Sequence, residues 1–211
     1  MTPPLPRWSN TVVRTACALL PLAALGLGVL LILGARSPLY TGEGHSVDQP
    51  VEFDHRHHVR DDGIDCRYCH FDAWRSPNAG VPSTSLCMGC HAQIHTDSPQ
   101  LEPVRRSYFE DEPIRWVRVN ALPDFVFFDH SVHVSAGVGC ESCHGRVDQM
   151  ARVRQAKPLT MGFCLDCHRN PAPSIRPASE VTKMGYEPDE AGVSPSLDDV
   201  NPPTHCSGCH R

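Results

Sequence analysis

The pentapeptide Cys-x-x-Cys-His occurs five times in this chain of 211 residues: Cys66-Arg67-Tyr68-Cys69-His70, Cys87-Met88-Gly89-Cys90-His91, Cys140-Glu141-Ser142-Cys143-His144, Cys164-Leu165-Asp166-Cys167-His168 and Cys206-Ser207-Gly208-Cys209-His210. These motifs consume ten of the eleven cysteines. Chance would supply roughly 0.03–0.04 such motifs in a chain of this length and composition, so the repetition has a chemical cause. On a helical turn, two cysteines three apart reach the two vinyl groups of one porphyrin, and the histidine that follows lies under the iron. Each motif thus supplies two thioethers and one proximal ligand. The chain is expected to carry five covalently attached hemes c, bound through Cys66, Cys69, Cys87, Cys90, Cys140, Cys143, Cys164, Cys167, Cys206 and Cys209 and ligated by His70, His91, His144, His168 and His210.

Two other chemistries use paired cysteines, a zinc ribbon and a thioredoxin-like redox site. Neither calls for a histidine directly after every pair, and all five pairs here have one. Composition agrees with heme. With 7% aromatic residues, 20 prolines and 15 glycines, the chain is poor material for a conventional side-chain core. Residues 36–211 leave about 35 residues for each heme, so the macrocycles themselves are expected to form the interior. The predicted fold class is a multiheme cytochrome c: short α-helices and long loops packed around five hemes, with little β structure. Residues 170–203 read as one such loop. Pro113 to Phe128, PIRWVRVNALPDFVFF, alternates enough to suggest an extended segment, either a docking strand or, the reading preferred, a linker.

Between Arg14 and Arg36 the chain is uncharged, reading TACALLPLAALGLGVLLILGA. As a helix this stretch would span roughly 32 Å, one bilayer core. A cleaved signal peptide normally has an apolar region of only about 7–15 residues, so a retained transmembrane anchor over 15–35 is expected. Arg7 and Arg14 keep the N-terminus cytoplasmic and send the rest across the bacterial cytoplasmic membrane, although Arg36 weakens the asymmetry. Heme c is attached on that outer side, so anchor and motifs agree. Cys17 reads as a small apolar helix residue. The net charge of −5 excludes the basic balance that nucleic-acid binding requires. Of the 19 basic residues only Lys157 and Lys183 are lysines. That bias suits bidentate pairing with carboxylates such as heme propionates and equally suits a GC-rich genome.

The motifs sit in a duplicated frame. Phe53-Asp54-His55-Arg56-His57-His58-Val59 stands shortly before Cys66, and Phe128-Asp129-His130-Ser131-Val132-His133-Val134 stands shortly before Cys140. Both read FDHxxHV. In each half a second motif follows the first, Cys87 after Cys66 and Cys164 after Cys140, at similar intervals. The chain therefore divides into a cytoplasmic N-terminus (1–14), a transmembrane helix (15–35), a linker (36–50), a first diheme module (51–112), a second (113–169) and a C-terminal single-heme segment (170–211). A Phe-x-His-x-x-His element before a heme motif resembles the multiheme cytochromes of the c3 and c7 type, in which both histidines are distal iron ligands. That resemblance marks His55, His58, His130 and His133, with His55 and His130 serving the motifs that directly follow them. Independently, two histidines three apart beside an attachment motif are well placed to face two different irons. His45, His57, His95 and His205 lack the repeated context and read as ordinary histidines.

The stretches VPSTSLCMGCH (Val81 to His91), PIRWVRVNALPDFVFFDHSVHV (Pro113 to Val134), MGFCLDCHR (Met161 to Arg169) and NPPTHCSGCHR (Asn201 to Arg211), with the single N-terminal helix, resemble the pentaheme cytochrome c subunits of bacterial alternative complex III. The resemblance implies an electron-transfer subunit, not itself an enzyme, in a quinol-oxidising respiratory complex. Its implied partners are an iron–sulfur subunit, quinol-binding integral membrane subunits, membrane lipid, and a monoheme cytochrome c subunit or soluble periplasmic acceptor, with no nucleic acid. An alternative is a stand-alone quinol dehydrogenase of the NapC/NrfH type, in which the first motif follows the membrane helix closely. Here the whole stretch 36–65 separates Ala35 from Cys66. A multiheme nitrite reductase would be much longer and would usually replace one proximal histidine by lysine.

Five irons and four repeated histidines leave one distal position. Met161, three residues before Cys164, is the candidate chosen, because a thioether would raise that heme's potential as an exit toward a higher-potential acceptor requires. His95, four residues after His91, is the second candidate. The ordinary reading of Met161 is an apolar residue packed on a porphyrin.

Overall fold

The computed structural model describes residues 5–6, 8–187 and 200–210. Residues 1–4, Arg7, residues 188–199 of the expected 170–203 loop, and Arg211 lie outside the described residues. The chain forms two units, Met1–Gly42 and Glu43–Arg211.

The first unit is helix α1 (Trp8–Ala35) and the short α2 (Pro38–Thr41). With 28 residues, α1 contains the expected 15–35 span and continues through Arg14 toward the N-terminus. Its length is about 42 Å at the α-helical rise. It is long and apolar enough to cross a membrane, and no residue of its apolar window is buried by other parts of the chain. Pro21 lies inside it, as membrane helices tolerate. Gly42, at φ 75°, ends α2 by returning its N–H to the Pro38 carbonyl.

The second unit is built from short helices: α3 (Cys66–Cys69), α4 (Thr84–His91), α5 (Glu102–Glu110), α6 (His130–Ser135), α7 (Cys140–His144) and α8 (Met161–Arg169), with a π-helical turn at Arg56–Asp61. No strand occurs among the described residues; backbone pairing is limited to isolated bridges such as Ser46 with Arg154 and Val126 with His210. Several helices begin where the sequence provides caps. Asp65 accepts from the Arg67 N–H, Asp129 from the Ser131 N–H and Thr160 from the Phe163 N–H. Four of the five attachment motifs thus lie on α-helices, while the fifth is only a 3-10 turn, Cys206–Gly208. Pro202 and Pro203 just before it supply no N–H. A Cβ at Gly208 would stand 2.6 Å from the Pro203 side chain, so the turn is held tight against the prolines.

Side-chain burial is sparse. One cluster joins Val51, Met88 and Val104 with Cys87 and Trp116 beside them; another joins Ala73, Val134 and Val181 with Trp74 and Cys140. Each cluster packs against a motif cysteine, Cys87 or Cys140, so the apolar contacts gather around the motifs instead of forming a core apart from them.

Segments remote in sequence tie the unit together. Gln49 exchanges two hydrogen bonds with the Val117 backbone, at 2.8 and 2.9 Å. Arg152 pairs with Asp48 and Glu52, and the Gly44 N–H donates to the Gln155 carbonyl at 2.7 Å. Residues 43–49 therefore bind both the 113–128 segment and the end of the second module. The 113–128 segment has neither helix nor strand over 112–118. It is held to Gln49 at Val117, and to the fifth motif at Phe127, whose N–H donates to the Cys209 carbonyl.

Candidate functional site

The two FDHxxHV segments fold alike. In the first, the Phe53 ring meets His55 edge-on at 4.7 Å and 81° and lies nearly flat on His58 at 4.3 Å and 25°. In the second, Phe128 meets His130 at 4.7 Å and 87° and His133 at 4.6 Å and 30°. Each phenyl ring is a wedge that sends its two histidines in different directions. The repeated phenylalanine signals this role in the sequence, though periodicity alone does not assign it.

Three of the four diverging histidines meet a motif histidine. Ring centres are 6.2 Å apart for His58 and His91, 6.2 Å for His130 and His144, and 6.1 Å for His133 and His168. Two imidazoles bound through Nε2 to one metal, each at about 2 Å, have centres about 6 Å apart, so the three pairs fit a shared iron. His55 lies in the electrostatic reach of His70, the histidine of the motif that follows it.

The ring nitrogens are arranged for ligation. Nδ1 of His58 and of His133 faces the carbonyl four residues earlier, Asp54 at 3.0 Å and Asp129 at 2.7 Å. Nδ1 of His70 faces the Gly80 carbonyl at 2.9 Å, that of His91 the Ile94 carbonyl at 3.3 Å, that of His130 the Pro77 carbonyl at 2.7 Å and that of His168 the Pro203 carbonyl at 2.7 Å. A carbonyl can only accept, so each Nδ1 carries the proton and each Nε2 keeps a lone pair for a metal. His144 Nδ1 instead meets the side chain of Asn120 at 3.2 Å, and the buried His55 Nδ1 has no protein partner. Burial holds His55 near a pKa of 4, with His70 and His58 adding to the effect, and burial with His130 and His70 holds His144 near 4. Burial also lowers His133. Neutral imidazole is the ligating form.

The motifs adjoin one another through identifiable residues. Phe53 lies between the histidines facing the first and second motifs, and Phe128 between those facing the third and fourth. First and third motifs meet at a strap: the Val181 carbonyl accepts from the Cys140 N–H, the Thr182 carbonyl lies 3.8 Å from the Cys66 Sγ, and Thr182 Oγ1 donates to Asp65. Third and fourth share Ser174, whose carbonyl accepts from Gly139 and whose hydroxyl meets the Cys167 thiol. Fourth and fifth share Pro203, against His168 and Gly208. Contacts thus link the second motif to the first, the first to the third, the third to the fourth and the fourth to the fifth.

The strap is locked by Arg176, whose side chain is only 6% exposed; it pairs with Glu141 inside the third motif at 3.0 Å and donates to the Lys183 carbonyl. Other guanidinium groups are taken by protein carboxylates, including Arg56 by Asp54, Arg67 by Asp65 and Arg146 by Asp148.

The remaining candidates are placed differently. His95, at φ 54°, lies 6.4 Å from His91, which already faces His58. His57 pairs with Asp61, and His45 faces the Glu43 carbonyl. Met161 opens α8 and is 66% exposed. His210 lies 5.8 Å from Phe125. None of the eleven cysteines forms a disulfide, and no group of three or more metal-binding side chains is gathered for a bare ion among the described residues.

Comparison with known proteins agrees with this chemistry. Residues 126–211 match the family model described as cytochrome c7 and related cytochrome c. Over 98 residues the chain is 34% identical to the menaquinone reductase multiheme cytochrome c subunit of Nitratidesulfovibrio vulgaris (strain Hildenborough), a match covering 46% of each protein. The aligned part is thus about half the length of that curated relative. The fold is a cytochrome c7-like multiheme one, helical and without strands among the described residues, with one N-terminal apolar helix, and it implies covalently bound heme c and electron transport.

Proposed function

We propose that this chain is the electron-transfer subunit of a quinol-oxidising membrane complex, anchored by α1 and holding five hemes c outside the cytoplasmic membrane. The carrying observation is the set of three histidine pairs at 6.1 to 6.2 Å; in five of their six rings a backbone carbonyl at Nδ1 leaves Nε2 for iron. In this reading His70, His91, His144, His168 and His210 are proximal ligands, paired in order with His55, His58, His130, His133 and, for the last, Met161. Heme c supplies one-electron Fe(III)/Fe(II) exchange. With both axial positions taken by side chains, a substrate has no place to bind, which favours conduction over catalysis.

The protein's own part is to fix the ligands and the spacing. Phe53 and Phe128 aim the distal histidines, carbonyls fix the tautomers, and residues 174–183 hold the first, third and fourth motifs in contact. The resemblance to alternative complex III and the menaquinone reductase subunit among the relatives both support a quinone-linked complex. Its partners would be an iron–sulfur subunit, quinol-binding integral membrane subunits, and a monoheme cytochrome c or a soluble acceptor. Arg14 at the N-terminal side of the apolar stretch supports a cytoplasmic N-terminus.

Purification from detergent-solubilised membranes tests the proposal. The chain should co-purify with multispan and iron–sulfur subunits and carry five hemes. A protein that runs alone and accepts electrons from quinol at full turnover is instead a NapC/NrfH-type dehydrogenase.

A further inference from the structure

We propose that Asn120 positions His144 and tunes its ligand strength, an inference that rests on the reading of His144 as an axial ligand. Asn120 lies in the segment anchored to Gln49 through Val117. Six histidines of the site direct Nδ1 to a backbone carbonyl: His58, His70, His91, His130, His133 and His168. His144 directs Nδ1 to a side chain, at 3.2 Å, and a side chain can be exchanged where a carbonyl cannot.

The chemistry fixes which end of the amide faces the ring. The atom nearest the ring is Nδ2, with Oδ1 buried and unpartnered. An amide nitrogen is a pure donor. An Nδ1 that accepts from Nδ2 would leave the proton on Nε2, where a metal must bind. The two amide atoms are nearly indistinguishable in shape, and reversing them makes Oδ1 the acceptor of an Nδ1–H. The imidazole therefore decides the orientation. Asn120 Oδ1 then does for His144 what the Pro77 and Asp129 carbonyls do for His130 and His133. It holds the tautomer, aims the ring at His130, and makes the imidazole more basic.

A change of acceptor should move one potential in a direction set by chemistry. In Asn120→Asp a carboxylate accepts more strongly, stabilises Fe(III), and should shift the reduction equilibrium of one heme about tenfold toward the oxidised form, ~59 mV for one electron. In Asn120→Leu the Nδ1–H has no acceptor, the ligand is weaker, and the same heme should shift the opposite way. The measurement is a spectroelectrochemical titration of the full-length, heme-loaded protein, with EPR to identify the heme that moves. A spacer role would shift both variants in one direction. Unshifted potentials, or shifts of the same sign, in fully matured variants overturn the proposal. If the leucine variant fails to mature, the aspartate variant decides alone: a lowered potential supports the role and an unchanged one ends it. The underlying ligand assignment is judged separately, by the heme count and low-spin spectrum of the unaltered protein; a third motif without a low-spin heme defeats that reading whatever the variants do.

Discussion

His130 and His144 face each other at 6.2 Å with their ring planes only 7° apart, whereas His58 and His91, at the same separation, are crossed by 66°. Parallel imidazoles donate into the same iron orbital and split the pair of π-symmetry orbitals; crossed imidazoles act on both and leave them nearly degenerate. The oxidised protein should therefore show a rhombic low-spin EPR signal from the third motif and a strongly anisotropic one from the second. His130→Ala should remove the first and His58→Ala the second, each with a new high-spin signal. Loss of the same signal in both variants would refute the pairing.

Arg176 and Glu141 form the ion pair that closes the strap over the third motif, with 6% and 19% of their side chains exposed. Removing one partner of a buried pair leaves the other charge uncompensated, at a cost of about 3–5 kcal/mol. Arg176→Met should therefore lower the thermal midpoint and loosen the first and third motifs together, because Val181 and Thr182 bind both. Adding Glu141→Leu should recover much of that loss. A double variant no better than the single one would show that the guanidinium matters chiefly through its bond to the Lys183 carbonyl.

Acid should act in two stages. Burial holds His55 and His144 near a pKa of 4, below about 6.5 for an unfolded histidine. Below about pH 6.5 the unfolded chain binds more protons on these histidines, so this stability is complete above about pH 6.5 and declines as pH falls toward 4. Protonation also competes with iron for Nε2, in the same direction. Asp54, held near 2 mainly by the Arg56 hydrogen bond, adds stability that is present above about pH 3.8 and lost as pH falls toward 2. Denaturant titrations at pH 7, 5 and 3 should show falling midpoints, with high-spin heme appearing first in the upper stage. A flat profile between pH 7 and 5 would contradict the histidine part.

What the sequence made legible is whatever it repeats. Five motifs announce heme c chemistry, since covalent attachment demands a fixed spacing, and the two FDHxxHV segments announce the Phe–His arrangement that the structure repeats. The uncharged run over 15–35 announces α1, because bilayer thickness sets its length. Contacts made once, between distant residues, leave no periodic trace. Asn120 against His144, Thr182 between Cys66 and Asp65, and Ser174 between Gly139 and Cys167 depend on how residues 113–128 and 174–183 thread among the motifs. The sequence spacing does not distinguish an α-helix from the 3-10 turn that the fifth motif forms just after Pro202 and Pro203.

Met161 is the remaining ligand assignment to test. It is the first residue of α8, one turn before Cys164, and it is 66% exposed. Cys164 lies in the electrostatic reach of Cys209, so this end of α8 stands beside the fifth motif. His95, the rival, lies beside the second motif at 6.4 Å from His91. A thioether favours Fe(II) more than an imidazole does, so one heme should titrate well above the others. Met161→Leu should remove that high-potential step and yield one high-spin heme, while His95→Phe should leave all low-spin signals in place. Five bis-histidine near-infrared bands in the unaltered protein, or a high-spin heme from His95→Phe with none from Met161→Leu, would assign the position to a histidine instead.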